Sequence, residues 1–334
     1  MQTFRDFMES ALYEPGSGFY SRRTPTEDFY TAPELHPAFA GVLARALADR
    51  LDALQKRGVP GPYCLVEMGA GSGRLAREIL QSLRSARSDW AAKAQYIVVE
   101  RVTDSLVETV VSLSAVCDRV LGYGRVEDVP PCAGVFFSNE LVDSFPVHLL
   151  EKRGGQMYEV YVEESGRMLL SGFSTKELAP HAEAVAAGLA EGERHAVNLE
   201  ALRWLRAVSE RLTAGFLLTV DYGKRFQGAP NPPRTFFRHA TDDRLAEAKG
   251  LKDITASVDF DSLIAEGGRC GLKLESYGTL SRFLIDGGVS DWLKAGEDAA
   301  AWRSRAKIKT LIHPEGMGEV FKVLVQGRTA ALPG

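Results

Sequence analysis

The chain is 334 residues long, 45% hydrophobic and 25% charged, which excludes wholesale disorder and suits one enlarged α/β domain or two ordinary ones. Its formal net charge of −4 carries no polybasic signature, so no nucleic-acid partner is expected. No run reaches the roughly 18 apolar residues of a membrane span, so no membrane partner is expected either.

In chain order, the opening MQTFRDFMES lacks the apolar stretch of a signal peptide and the Arg-rich, acid-poor character of a transit peptide. Residues 13–37 are rich in Pro, Gly and aromatics and read as irregular. Phe39, Val42, Leu43, Ala46, Leu47 and Leu51 then recur at helical spacing. Short apolar runs at 63–66, 96–99, 135–137 and 216–220 read as buried parallel strands. The helix after the first carries Leu75, Ile79, Leu80 and Leu83 on one face, and a helix over 199–212 precedes the fourth. A hairpin is expected about Gly154-Gly155, joining 147–150 to 157–162. A helix begins near Phe260, and Val320 to Val325 reads as a closing strand. Strands alternating with helices predict an α/β fold with a doubly wound, mostly parallel sheet and added helical and hairpin insertions. The expected division is an N-terminal lid and helical segment over 1–60, then a main domain over 61–330 with insertions near 147–198, 224–256 and 279–316.

The first apolar strand runs into Glu67-Met68-Gly69-Ala70-Gly71-Ser72-Gly73 and then a helix. Glycines let the backbone turn tightly and approach a ligand, and the helix start offers free N–H groups. The dinucleotide pattern GxGxxG is not met, because Arg74 stands where its last glycine belongs. The P-loop GxxxxGK is absent as well. An acid before GxGxG suits a ligand carrying an ammonium group and no phosphate, as in the methionine part of S-adenosylmethionine (SAM). The second strand ends at Glu100, whose carboxylate can accept both hydroxyls of an adenosine ribose.

The third strand leads into Asn139, Glu140 and Asp143, and the fourth into Asp221. In a doubly wound sheet such loops border the crevice at the switch point, so these acids are candidates to meet a substrate. Asn139 and Asp143 also read as helix caps, and Asp221 equally as a turn-forming acid. The four cysteines, Cys64, Cys117, Cys132 and Cys270, form no CxxC pair and read as free thiols in a reducing compartment, so cytoplasmic residence is the expectation. None of the six histidines stands in HExxH or a related ligand spacing, so no metal is expected. No GxSxG elbow appears either.

Several stretches together resemble the MidA-like family of SAM-dependent methyltransferases, which includes a mitochondrial complex I assembly factor. They are FMESALYEPGSGFYS, DFYTAPELHPAFA at 28–40, VEMGAGSGRL, VVE at 98–100, SNELVDSFPVHLL at 138–150, VDYG at 220–223, FFRHA at 236–240, DITASVDF at 253–260 and HPEGMGEVFKVL at 313–324. The resemblance covers nearly the whole length and implies a Rossmann-like class I methyltransferase core with SAM as cofactor. It implies cofactor contacts at Gly69, Gly71, Gly73 and Glu100, to which the residue reading adds Glu67, Asn139 and Thr31. The mitochondrial relative methylates an arginine of a partner protein. Two departures fall in segments expected to cover the substrate: Ser257 stands where the family commonly carries His, and RRTPTE at 22–27 lacks the usual glycines.

The expected reaction is in-line methyl transfer to an acceptor nucleophile, with the enzyme aligning nucleophile, methyl carbon and sulfur. For an arginine acceptor, Glu140 is the first candidate to hold the guanidinium, with Asp143 and Asp221 next. The segment Phe29 to Glu34 is expected to close over the site. Two alternatives stand beside this: O- or C-methylation of a small molecule or of a substrate on a carrier protein, and a SAM-binding assembly protein without turnover.

Overall fold

The computed structural model describes residues 1–22, 32–86, 88–237, 240–242, 245–246, 249–293 and 295–329. The chain forms two compact units, one from residues 1–29, 142–203 and 223–263, the other from 30–141, 204–222 and 264–334.

The second unit is built on a sheet of β1 (Tyr63–Met68), β2 (Gln95–Val99), β3 (Val120–Tyr123), β4 (Cys132–Asn139), β5 (Leu212–Lys224), β6 (Lys273–Thr279) and β7 (Phe321–Arg328). Their spatial order is 3-2-1-4-5-7-6. The first five run parallel, and β7 is antiparallel to both its neighbours. This is the expected doubly wound, mostly parallel α/β arrangement of the Rossmann-like class. Each parallel crossover carries chain across a sheet face, which is why β1 is apolar along its buried length except at Glu67. The long helix Ala38–Lys56 buries Phe39, Leu43, Leu47 and Leu51 in one core with Leu65, Val98, Phe137 and Val220 of the sheet. The strand order reverses between β1 and β4, so the loops after them open a crevice at the carboxyl ends of the strands.

The first unit holds a sheet in which Gln2–Thr3, Gln156–Val162, His148–Arg153 and Arg194–Val197 pair in that order. Its hairpin turns at Gly154-Gly155, both at positive φ (60° and 75°), the two-residue turn that suits the right-handed twist of paired strands. A smaller sheet joins Arg234–Phe237 to Ala240–Asp242 and Asp253–Thr255. The expected insertions near 147–198 and 224–256 fall within this unit, whereas 279–316 falls in the other.

The described parts of residues 13–37 are less irregular than the sequence suggests: Phe19–Arg22 and Ala32–Leu35 each form a helical turn. Val320 ends the short helix Met317–Val320 rather than opening the last strand.

Candidate cofactor and methyl-transfer site

The loop after β1 lies in the second unit, with Gly69, Gly71 and Gly73 all at positive φ (75°, 51° and 69°). Two of them are also closed off by neighbours. A Cβ on Gly69 would come within 2.8 Å of Leu141, and one on Gly73 within 2.5 Å of Thr109. A Cβ on Gly71 would meet nothing within 4 Å among the described residues. Among these the loop is packed at both ends and open in the middle. Gly73 is the residue before the helix Arg74–Ser85, whose first amides have no intrahelical partner.

Glu100, just past β2, is tied to this loop. Its Oε2 accepts from the Gly71 N–H at 2.9 Å and its Oε1 from the Val102 N–H at 2.9 Å. A carboxylate offers about four acceptor positions, so the side chain is held in place and still able to accept hydroxyls. Glu67 sits deeper, 3% exposed, and takes the Tyr96 hydroxyl at 2.5 Å. Burial pushes its carboxyl up to about 7; the Tyr96 bond opposes the shift and the charge of Glu100 adds to it. Tyr96 is the functional neighbour that the sequence reading misses: its ring sits edge-on to Phe137, 6.4 Å between centroids, and in a buried strand nothing but the register marks its hydroxyl.

The Glu67 shift predicts a pH dependence. The folded carboxyl stays protonated up to about pH 7, whereas in the unfolded chain it ionises near 4.5. The folded state therefore holds the extra proton between those values, and stability falls as pH rises through that window, by about 3 kcal/mol from this group. Glu67→Gln keeps an acceptor for Tyr96 and removes the titration. Urea unfolding at pH 5 and pH 8 is expected to show a smaller loss for the variant than for the parent. Equal losses would exclude Glu67 as the group responsible.

Past β4, Glu140 adopts φ 53°, a left-handed conformation uncommon for a residue with a side chain and found preferentially where function demands it. Its Oε1 accepts from the Ala32 N–H at 3.1 Å and from Asn139 Nδ2 at 3.0 Å. The bond to the carboxylate fixes which way the Asn139 amide points, and it leaves Oδ1 buried with no hydrogen-bond partner among the described residues. An orphaned buried acceptor of this kind awaits a donor. Asp221, on β5, is 0% exposed and accepts from the Leu141 N–H at 3.2 Å and the Tyr222 N–H at 2.8 Å. The structure thus gathers Glu67, Gly69, Gly71, Gly73, Glu100, Asn139, Glu140 and Asp221 at the carboxyl ends of β1, β2, β4 and β5 in one unit.

Asp143 belongs to the first unit. Burial lifts its carboxyl to about 7, against the Ser144 N–H and its own, which favour the charged form. Its carbonyl accepts from the Ala256 N–H at 2.9 Å, and Ser257 offers its carbonyl to Asn231 Nδ2 at 2.9 Å. Thr31, with Phe29 and Tyr30, lies outside the described residues, as do Arg238 and His239. Among the described residues no cluster of three His, Cys, Asp or Glu side chains has metal-holding geometry, and no helix is long and apolar enough to cross a membrane.

The site fits a cofactor without phosphate. Its polar groups are carboxylates, amides and a free carbonyl oxygen, suited to an ammonium group and ribose hydroxyls. Residues 42–278 match a family model described as "Putative S-adenosyl-L-methionine-dependent methyltransferase". A crystal structure of a Burkholderia thailandensis protein bound to S-adenosyl-homocysteine superposes with a TM-score of 0.83 at 28% identity, covering 98% of this chain and 87% of that one. The mouse mitochondrial protein arginine methyltransferase NDUFAF7 is 28% identical over 96% of this chain and 79% of its own length. Its Drosophila melanogaster homologue is 27% identical over 76% of this chain, and the match spans 64% of that protein. The chain therefore belongs to the MidA-like family of SAM-dependent methyltransferases, and SAM is its cofactor.

Proposed function

We propose that this methyltransferase acts on an arginine side chain of a protein, with Glu140 as the acid that receives the guanidinium. The observation that carries the reading is the left-handed turn at Glu140, which sets a half-buried carboxylate just past the end of β4, the strand paired with β1. A carboxylate binds guanidinium through paired, charge-assisted bonds and stabilises the positive charge that a guanidinium keeps after methylation. The names of the mouse and fly relatives support the same acceptor.

SAM supplies a methyl group activated on a cationic sulfonium. The protein's part is to bind and align. In our reading Glu67 and the Asn139 carbonyl oxygen receive the ammonium end, Glu100 the ribose hydroxyls, and Gly69, Gly71 and Gly73 keep the backbone close. Glu140 would hold the guanidinium of the acceptor, and in such a transfer orientation supplies much of the rate. Free thiols at all four cysteines support a cytoplasmic setting.

The test is the chemistry of the product. Lysate protein incubated with the enzyme and methyl-labelled SAM, then hydrolysed in acid, is expected to yield labelled methylarginine. Label recovered only as O-methyl or C-methyl product would overturn the arginine reading and leave the methyltransferase assignment standing.

A further inference from the structure

We infer that Asp221 is a positioning residue for methyl transfer, holding the Glu140 turn through the backbone instead of touching the acceptor; this rests on the role proposed above for Glu140. Strands β4 and β5 pair as far as Asn139 and Val220. One residue later the Glu140 N–H still donates to the Val220 carbonyl at 3.0 Å. There the ladder ends, because Glu140 swings to φ 53°. The next amide, that of Leu141, turns away from the sheet, and the Asp221 side chain follows it: Oδ2 accepts the Leu141 N–H at 3.2 Å while Oδ1 accepts the Tyr222 N–H at 2.8 Å. The carboxyl group is fully buried, where losing an acceptor for a backbone amide costs more than it does in water.

The clamp reaches both halves of the site. The Leu141 side chain lies against Gly69, so near that a Cβ there would be 2.8 Å from Leu141 Cδ1. On its other side Glu140 takes the Ala32 N–H at 3.1 Å. Holding the Leu141 amide therefore fixes the turn between the glycine loop and the Glu140 carboxylate. A side chain at positive φ is strained and persists only where its surroundings impose the conformation, and the Asp221 bond supplies such a constraint.

The test is a double-mutant cycle read in single-turnover transfer from labelled SAM to lysate protein, with S-adenosylhomocysteine affinity measured by calorimetry. Asp221→Asn keeps the shape but turns one acceptor oxygen into an NH2 donor facing an N–H. The rate is expected to fall about 10- to 100-fold, the scale of a buried hydrogen bond left unmade, with cofactor affinity changed less than about threefold. On a Glu140→Gln background the same substitution should lower the rate less than about twofold, because coupled residues are not additive. An equal fold-loss in both backgrounds would make Asp221 a general structural support and overturn the inference. Full activity in Glu140→Gln alone would remove Glu140 from the reaction, a failure of the proposed function that takes this inference with it and is visible before Asp221 is changed. If Asp221→Asn does not fold, hydrogen exchange in the parent protein decides: the Leu141 amide should be protected about 100-fold or more, and an unprotected amide would overturn the clamp.

Discussion

Glu140→Gln is expected to lower single-turnover methyl transfer about 100-fold or more, the scale of losing one electrostatic or acid–base group at a reaction centre, while SAM affinity stays within about twofold. Gln keeps the length of the side chain and an oxygen for the Ala32 and Asn139 donors, so what it removes is the charge. Calorimetry and transfer on one preparation check both halves. Near-normal transfer would take Glu140 out of catalysis, and a parallel loss of binding would make it a cofactor ligand. The backbone gives a second reading of the same residue. Gly at position 140 adopts φ 53° without the penalty a side chain incurs there, about 1–2 kcal/mol. Relief of that strain offsets part of what is lost with the bonds from Ala32 and Asn139. Glu140→Gly should therefore be inactive yet more stable than Glu140→Ala, which loses the same bonds and keeps the strain. Equal stability of the two would mean that the turn carries no strain.

Gly71→Val is expected to weaken SAM binding about 100-fold or more, some 3 kcal/mol, and to leave the fold in place. The new side chain would project into space that no atom of the described residues approaches within 4 Å, beside the N–H that Glu100 accepts. Positive φ adds strain of about 1–3 kcal/mol, so stability should drop without collapse. Gly73→Ala is the contrasting variant: its methyl would meet the Thr109 side chain at 2.5 Å, so its effect should appear in unfolding first. Circular dichroism and calorimetry on both proteins separate the two. Unchanged affinity in Gly71→Val would remove the middle of the loop from the binding site.

Much of this organisation is legible in the residues. Strands β1, β2, β4 and β5 announce themselves because a strand buried on both faces must be continuously apolar. The hairpin is legible because Gly154-Gly155 is a turn signal with one geometric solution. Edge strands escape the same reasoning. β3 reads VLGY and exposes Leu121 and Gly122, and β6 reads KLESYGT with its first four residues exposed, so neither shows a buried run. In the site, the glycine spacing and the acids at strand ends identify the candidates. What they do not identify is conformation and partnership. Nothing in Asn139-Glu140-Leu141 specifies a left-handed Glu140, and nothing in VDYG tells that Asp221 spends its oxygens on backbone amides. Those depend on where a ladder between distant strands stops.

The strand order carries a consequence for synthesis of the protein. Strand β6 pairs with β7 in the main sheet, and β7 lies later in the chain, beyond the helices Leu280–Asp286 and Ala299–Ile312. A growing chain thus presents β6 with its ladder groups unmet, and β5 with one flank bare, until Phe321–Arg328 arrives to fill the gap between them. Such an interval favours pairing with the wrong chain. The polar start of β6, Lys273 and Glu275 among its exposed residues, works against that, because like copies meeting edge to edge would have to desolvate charge. The same residues that hide β6 from a reader of the sequence guard the nascent chain against its neighbours.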